Sequence, residues 1–99
     1  MATPQFPKAN YNIGVALMKL GRLDEAIEHF RQAVKLRPDD FKARHNLGAL
    51  LLERGRAQDA VVQFTETLRL RPDSSEARDA LRAAQAALGQ SPPSPVRER

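Results

Sequence analysis

Residues 7–40 read PKANYNIGVALMKLGRLDEAIEHFRQAVKLRPDD, and residues 41–74 read FKARHNLGALLLERGRAQDAVVQFTETLRLRPDS. Laid over one another without a gap, the two stretches agree at 13 positions, each 34 residues from its twin. Asn12 returns as Asn46, Gly14 as Gly48, Gly21 as Gly55, Ala26 as Ala60 and Phe30 as Phe64. The run Leu-Arg-Pro-Asp at 36–39 returns whole at 70–73. A third copy opens at Ser75, where Ala77, Arg78, Leu81, Ala83 and Gly89 answer Ala43, Arg44, Leu47, Ala49 and Gly55. It stops after one helix. A period of this length marks an array of supersecondary units, each too small to bury its apolar face alone.

Within each copy the spacing predicts two helices. Ala9, Ile13, Ala16, Leu17 and Leu20 form one stripe of a 3.6-residue period, and Gly21 then supplies the left-handed conformation that stops a helix. Asp24 is placed to cap the next helix, whose stripe is Ala26, Ile27, Phe30, Ala33 and Val34. Pro38 ends it, having no N–H to donate and disfavouring helix at the residue before it. The second copy repeats the plan with Ala43, Leu47, Leu50 and Leu51, then Gly55, then Ala60, Val61, Phe64 and Leu68, then Pro72. Asp73, Ser74 and Ser75 offer caps for the last helix, Glu76 stands in capping-box spacing from Asp73, and Ala77, Leu81, Ala84 and Leu88 share one stripe.

The chain has 99 residues, 41% hydrophobic and 28% charged, with five aromatics and no Trp or Cys. It therefore makes one domain at most, with a core of aliphatic side chains and alanine. Disulfides, zinc–thiolate sites and thiol catalysis are excluded by the missing cysteine. No apolar run reaches the roughly 20 residues that a membrane span requires, and no secretory leader is legible. A soluble, cytoplasmic chain is expected. The net charge of +4 is spread thinly, with six basic against five acidic residues in 1–40, six against four in 41–74 and four against three in 75–99. No nucleic-acid footprint follows from that distribution.

The small residues Gly14/Gly48 and Ala26/Ala60, with Phe30/Phe64 and the closing Pro38/Pro72, resemble the tetratricopeptide repeat over residues 7–89. Side chains this small let the paired helices touch, and the phenylalanine fills the space beneath them. Two places depart from the pattern. The family's large aromatic is replaced by Asn10 and Arg44, and Thr67 stands where a small residue is usual. The resemblance implies an all-α, right-handed α-solenoid of five helices: an amino-terminal extension (1–6), repeats at 7–40 and 41–74, and a capping helix at 75–89. It also implies a concave groove lined by the first helix of each repeat. The groove residues would be Lys8, Tyr11, Asn12, Val15, Met18 and Lys19, then Lys42, His45, Asn46, Ala49, Leu52 and Glu53, with Glu76, Asp79, Ala80 and Ala83 from the last helix.

Little in the chain can carry catalysis. His29 and His45 lie on different helices, and both are expected at the surface. Carboxylate pairs such as Asp24-Glu25 and Asp39-Asp40 sit at helix starts, where they complement the macrodipole. Thr65 and Thr67 have no base beside them. No cofactor, metal or enzymatic activity is expected. The expected role is a scaffold or adaptor that binds a partner segment in the groove. Asn12 and Asn46 would form a short hydrogen-bonding ladder, and Lys8, Lys19 and Lys42 favour an acidic ligand. The lysine-and-asparagine clamp by which similar proteins hold chaperone C-termini would fall on Tyr11, Val15, Asn46, Glu76 and Ala80, of which only Asn46 fits. Two alternatives stay open. Ala80, Ala83, Ala84, Ala86 and Ala87 leave the cap small and apolar on more than one face, which suits stacking onto another copy. The chain can also be a terminal piece of a longer repeat protein. Residues 90–99 are expected to be a disordered tail, with Pro92, Pro95 and Arg97 in the spacing of a polyproline ligand.

Overall fold

In a computed structural model, which describes residues 6–89, the 34-residue period becomes a repeat of structure. The helices are α1 (Pro7–Lys19), α2 (Leu23–Leu36), α3 (Phe41–Glu53), α4 (Ala57–Leu70) and α5 (Ser75–Gly89). The bounds of α3 and α4 are those of α1 and α2 moved by 34 residues. Most of residues 1–6 and the whole of 90–99, including the Pro92–Arg97 motif, lie outside the described residues. None of the described helices is long and apolar enough to cross a membrane.

The turns follow from local chemistry. Gly21 and Gly55 take φ of 79° and 80°, the left-handed region that an L side chain resists. At the first turn, the Arg22 N–H donates to Leu17 O at 2.9 Å and the Gly21 N–H to Met18 O at 3.0 Å. These two bonds absorb carbonyls that the helix end leaves over. The second turn repeats them with Arg56 and Gly55. Ahead of Pro38 and Pro72, Arg37 and Arg71 leave helical geometry at φ −136° and −134°, as the proline ring requires of its neighbour. Asp40 Oδ1 then accepts from the Lys42 and Ala43 N–H groups, both at 3.1 Å, and starts α3.

One cap differs from expectation, and at the last helix one of three candidates is taken. Asp24 does not cap α2: the helix begins one residue earlier, Arg22 holds the N-cap position without a side-chain bond, and its guanidinium pairs with Glu25 at 2.6 Å. At α5 the cap is Ser74, whose Oγ accepts from the Ala77 N–H at 3.0 Å, instead of an Asp73–Glu76 box.

The core runs through the stack as Ala26, Phe30, Ala33, Ala43, Leu50, Leu51, Ala60, Phe64 and Ala84, all within 1% of full burial. Each phenylalanine lies under the glycine of its own pair. A Cβ added to Gly14 would stand 2.9 Å from the Phe30 ring, and one added to Gly48 would stand 2.8 Å from Phe64. The repeats are joined by α2 against α3 and by α4 against α5. An exposed ion pair from Arg54 to Asp24 at 3.0 Å also spans the junction, and pairs of that kind contribute little.

The departures from the family pattern are absorbed by hydrogen bonds. Asn10 is 1% exposed, donates to Phe6 O at 3.3 Å and lies 3.1 Å from His29 Nδ1. His29 is therefore half-buried against α1 rather than a solvated outer residue. Arg44 donates to Pro38 O at 2.8 Å and to Gln63 Oε1 at 3.1 Å. The buried Thr67 hydroxyl donates to Gln63 O at 2.8 Å. A buried polar group costs little once it is paired.

The first helix holds the clearest correction. Of the stripe Ala9, Ile13, Ala16, Leu17 and Leu20, Ile13 is 38% and Leu20 69% exposed, and Phe6 beside them is 66% exposed. The equivalent stripe on α3, from Ala43 to Leu51, is covered by α2 and buried. No described element stands before α1 to cover its copy of that face.

The alanines of the cap divide between core and surface. Ala84 is buried and Ala80 and Ala87 are half-buried, while Ala83 and Ala86 alternate in the exposed surface with Arg78, Asp79, Arg82 and Gln85. Arg82 also occupies the place of Gly14 and Gly48, where a following helix would have to come close. The outer side of α5 mixes these charged and polar residues with Ala83, Ala86 and Leu88, the last 40% exposed.

Candidate functional site

The first helices of the repeats are linked to one another on one side of the stack. Asn46 Nδ2 on α3 donates to the Tyr11 hydroxyl on α1 at 3.2 Å. Tyr11 is itself held edge-on to Phe30, ring centroids 5.6 Å apart, and its equivalent His45 lies 5.3 Å from the Phe64 ring. The same core phenylalanines that close the helix pairs thus set the orientation of two site residues.

Beside this link is a cleft of about 220 Å³, lined by Tyr11, Phe41, Lys42, His45, Asn46, Thr67, Ser74 and Glu76. Tyr11, Lys42, His45, Asn46 and Glu76 are the groove residues that it brings together. Lys8, Asn12, Val15, Lys19, Ala49 and Glu53 are not part of its lining. Asn12, Lys8, Lys19, Ala49 and Glu53 are exposed, whereas Val15 is half-buried against the core. Asn46 is tied to Tyr11, whereas Asn12 is exposed outside the cleft lining.

Three lining residues went unnoticed in the sequence. Phe41 begins α3 and Ser74 caps α5, and the Arg71 guanidinium lies 4.5 Å over the Phe41 ring. Thr67 comes from α4, through the gap between α3 and α5. The proline-led turn before each first helix was the available signal, since it delivers residues to the same end of the stack.

The face carries both signs of charge, Lys8, Lys19 and Lys42 against Glu53, Glu76 and Asp79. Lys8, Lys19 and Lys42 have no ion-pair partner among the described residues, whereas Asp79 faces Arg82 at 3.9 Å. No group of three His, Asp or Glu side chains among the described residues is placed to hold a metal ion. The perturbed titratable pair lies outside the cleft lining. On α4 the Arg69 hydrogen bond holds the Glu66 carboxyl below its ordinary pKa, and Glu66 raises that of Arg69. The cleft lining thus presents hydrogen-bonding groups together with one cation, Lys42, and one carboxylate, Glu76.

A tetratricopeptide repeat family model matches residues 7–40, and a second model of the same repeat matches residues 24–99. The chain belongs to the tetratricopeptide repeat family. No curated protein matches it. Among solved structures, the first tetratricopeptide domain of Spaghetti (RPAP3), bound to the HSP90 peptide SRMEEVD, is 27% identical with a TM-score of 0.83, covering 89% of this chain and 70% of that one. A double mutant of MamA RS-1 is 28% identical, covers 89% and 49%, and has a TM-score of 0.83. A crystal structure of MamA at 21% identity covers 86% and 46%, with a TM-score of 0.82, and shows the shared solenoid fold. The chain spans about half the length of these MamA proteins.

Proposed function

We propose that this tetratricopeptide chain is a protein-interaction module that takes an acidic partner segment along the face of α1, α3 and α5. The observation that carries the reading is the cleft between Tyr11, Lys42 and Asn46, flanked by lysines without partners. Asn46 keeps its carbonyl oxygen available for a main-chain N–H while its amide holds Tyr11. Lys8, Lys19 and Lys42 attract carboxylates without fixing a sequence, as point charges on flexible stems do. Peptide binding by the similar RPAP3 domain supports a peptide-binding role. The absence of four of the five clamp residues argues against the same chaperone-tail ligand. The reading assigns no catalytic step to the chain.

Peptides selected from an unbiased display library test this. They are expected to be enriched in Asp and Glu, and to shift the amide resonances of Tyr11, Lys42 and Asn46. Selection without acidic enrichment, or a footprint that avoids those residues, would sink the reading.

Self-association is a second reading, and exposed apolar side chains on the first helix support it there. Phe6, Ile13 and Leu20 expose apolar surface, and Leu47, the α3 equivalent of Ile13, is buried. A second copy stacked through α1 would cover that exposed surface. Sedimentation is then expected to show a mass that rises with concentration and stays monomeric in Ile13→Glu. A wild-type chain monomeric at all concentrations removes this reading.

A further inference from the structure

On the side of the stack formed by the second helices, a groove of about 490 Å³ runs between α2 and α4 with α3 as its floor. Leu47 and Leu51 close the floor, being 3% and 1% exposed. Val34 and Val62 form the apolar walls, and Val62 is 55% exposed. The repeat does not require an apolar residue there, since the equivalent of Val62 in the first copy is Glu28. Arg31 and Lys35 stand above Val34 on one face of α2, one turn apart, and neither has an ion-pair partner among the described residues. Across the groove Arg56 is already paired with Asp59 at 3.1 Å.

The second repeat is an internal control. Arg69, the equivalent of Lys35, is neutralised by Glu66 at 2.8 Å, and the equivalent of Arg31 is Thr65. In the first repeat the place of Glu66 is held by Gln32. With Glu28 set against Val62, Arg31 against Thr65 and Gln32 against Glu66, the α2 face carries one more net positive charge than its own copy on α4. Like charges a helical turn apart repel. The fold gains nothing from that arrangement, but an anionic ligand would.

We propose that the α2–α4 groove is a second docking site, taking an acidic partner segment that sets a branched apolar side chain against Val34 and Val62 and carboxylates on Arg31 and Lys35. It is separate from the cleft of α1, α3 and α5, so one chain can hold two segments and act as an adaptor between them.

The test uses the blocked hexapeptide acetyl-Glu-Leu-Glu-Glu-Leu-Glu-amide at low salt, titrated into methyl-labelled full chain. Binding is expected to shift the Val34 and Val62 methyls and to weaken as salt screens the charges. The variant Arg31→Thr/Gln32→Glu gives α2 the residues that α4 already carries at those places, so it keeps the fold. It should bind about tenfold more weakly, the effect of losing one exposed charge contact and adding one repulsion. Gln85→Ala, an exposed change on α5 outside both sites, should leave the valine response as in wild type. Unchanged affinity in Arg31→Thr/Gln32→Glu overturns the proposal, as do a response at Lys42 and Asn46 instead of the valines, or none at millimolar peptide. Concentration-dependent dimerisation that this variant abolishes would also overturn it, by making a second copy the occupant.

Discussion

Phe64→Ala is expected to cost about 3–5 kcal/mol in urea unfolding, the range for deleting a buried phenylalanine side chain. The ring is 1% exposed, lies directly under Gly48 and packs 5.3 Å from His45. Truncation leaves a void between α3 and α4 at the centre of the stack, where α2 and α5 press from either side. Because α3 and α4 are braced by neighbours, they cannot collapse freely onto the space. A domain of this size holds roughly 5–10 kcal/mol in total, so the variant should sit near its unfolding midpoint at modest urea. A loss below about 1 kcal/mol would mean that the phenylalanine is not what closes the helix pair, and that burial has been misread.

Gly48→Val tests the other side of the same contact. Even a single Cβ at residue 48 would lie 2.8 Å from Phe64 Cε1 and 3.0 Å from Cδ1 and Cζ. The ring cannot retreat, because it is enclosed, so α3 and α4 must separate. A cost of about 3 kcal/mol is expected for overpacking on this scale, against a gain of only a few tenths from replacing glycine in a helix with a β-branched residue. The two sites must also be coupled. In a Phe64→Leu background, Gly48→Val should cost less than it does alone by about 1 kcal/mol or more, since the aromatic edge it strikes is gone. Additive losses in urea melts of the four proteins would contradict the close approach of the pair.

Much of this packing is legible in the sequence because the repeat places the same residues in the same roles twice. Gly14 with Phe30 and Gly48 with Phe64 could be paired before any coordinates, and the turns at Gly21 and Gly55 needed only the stereochemistry of glycine. The stripe of α1 was misplaced for a physical reason. Periodicity reports that Ile13, Ala16 and Leu20 share a face but not whether another helix covers it, and α2 covers only the copy on α3. Asp24 is no cap because α2 already begins at Leu23, which leaves Asp24 within the first turn, where it pairs with Arg54.

The site was legible along the helices and illegible between them. Tyr11, Lys42, His45 and Asn46 could be assigned to one face from helical geometry. Their union with Phe41, Thr67 and Ser74 depends on how α4 and α5 close behind α3, which no single helix encodes. The hydrogen bond from Asn46 to Tyr11 spans the two repeats and has no sequence signal. The excess charge on α2 was visible in the alignment of the copies, as Arg31 against Thr65 and Gln32 against Glu66. Its meaning needed the groove that those residues border.

The central claim is that the face of α1, α3 and α5 binds an acidic segment. It is tested most directly by display-selected acidic peptides on protein that already carries Arg31→Thr/Gln32→Glu, so that the groove between α2 and α4 does not contribute. Affinity should fall about tenfold when Lys42→Ala and Asn46→Ala are added, from the loss of one charge contact and one hydrogen-bonding side chain. Equal affinity with and without those two substitutions would contradict the account.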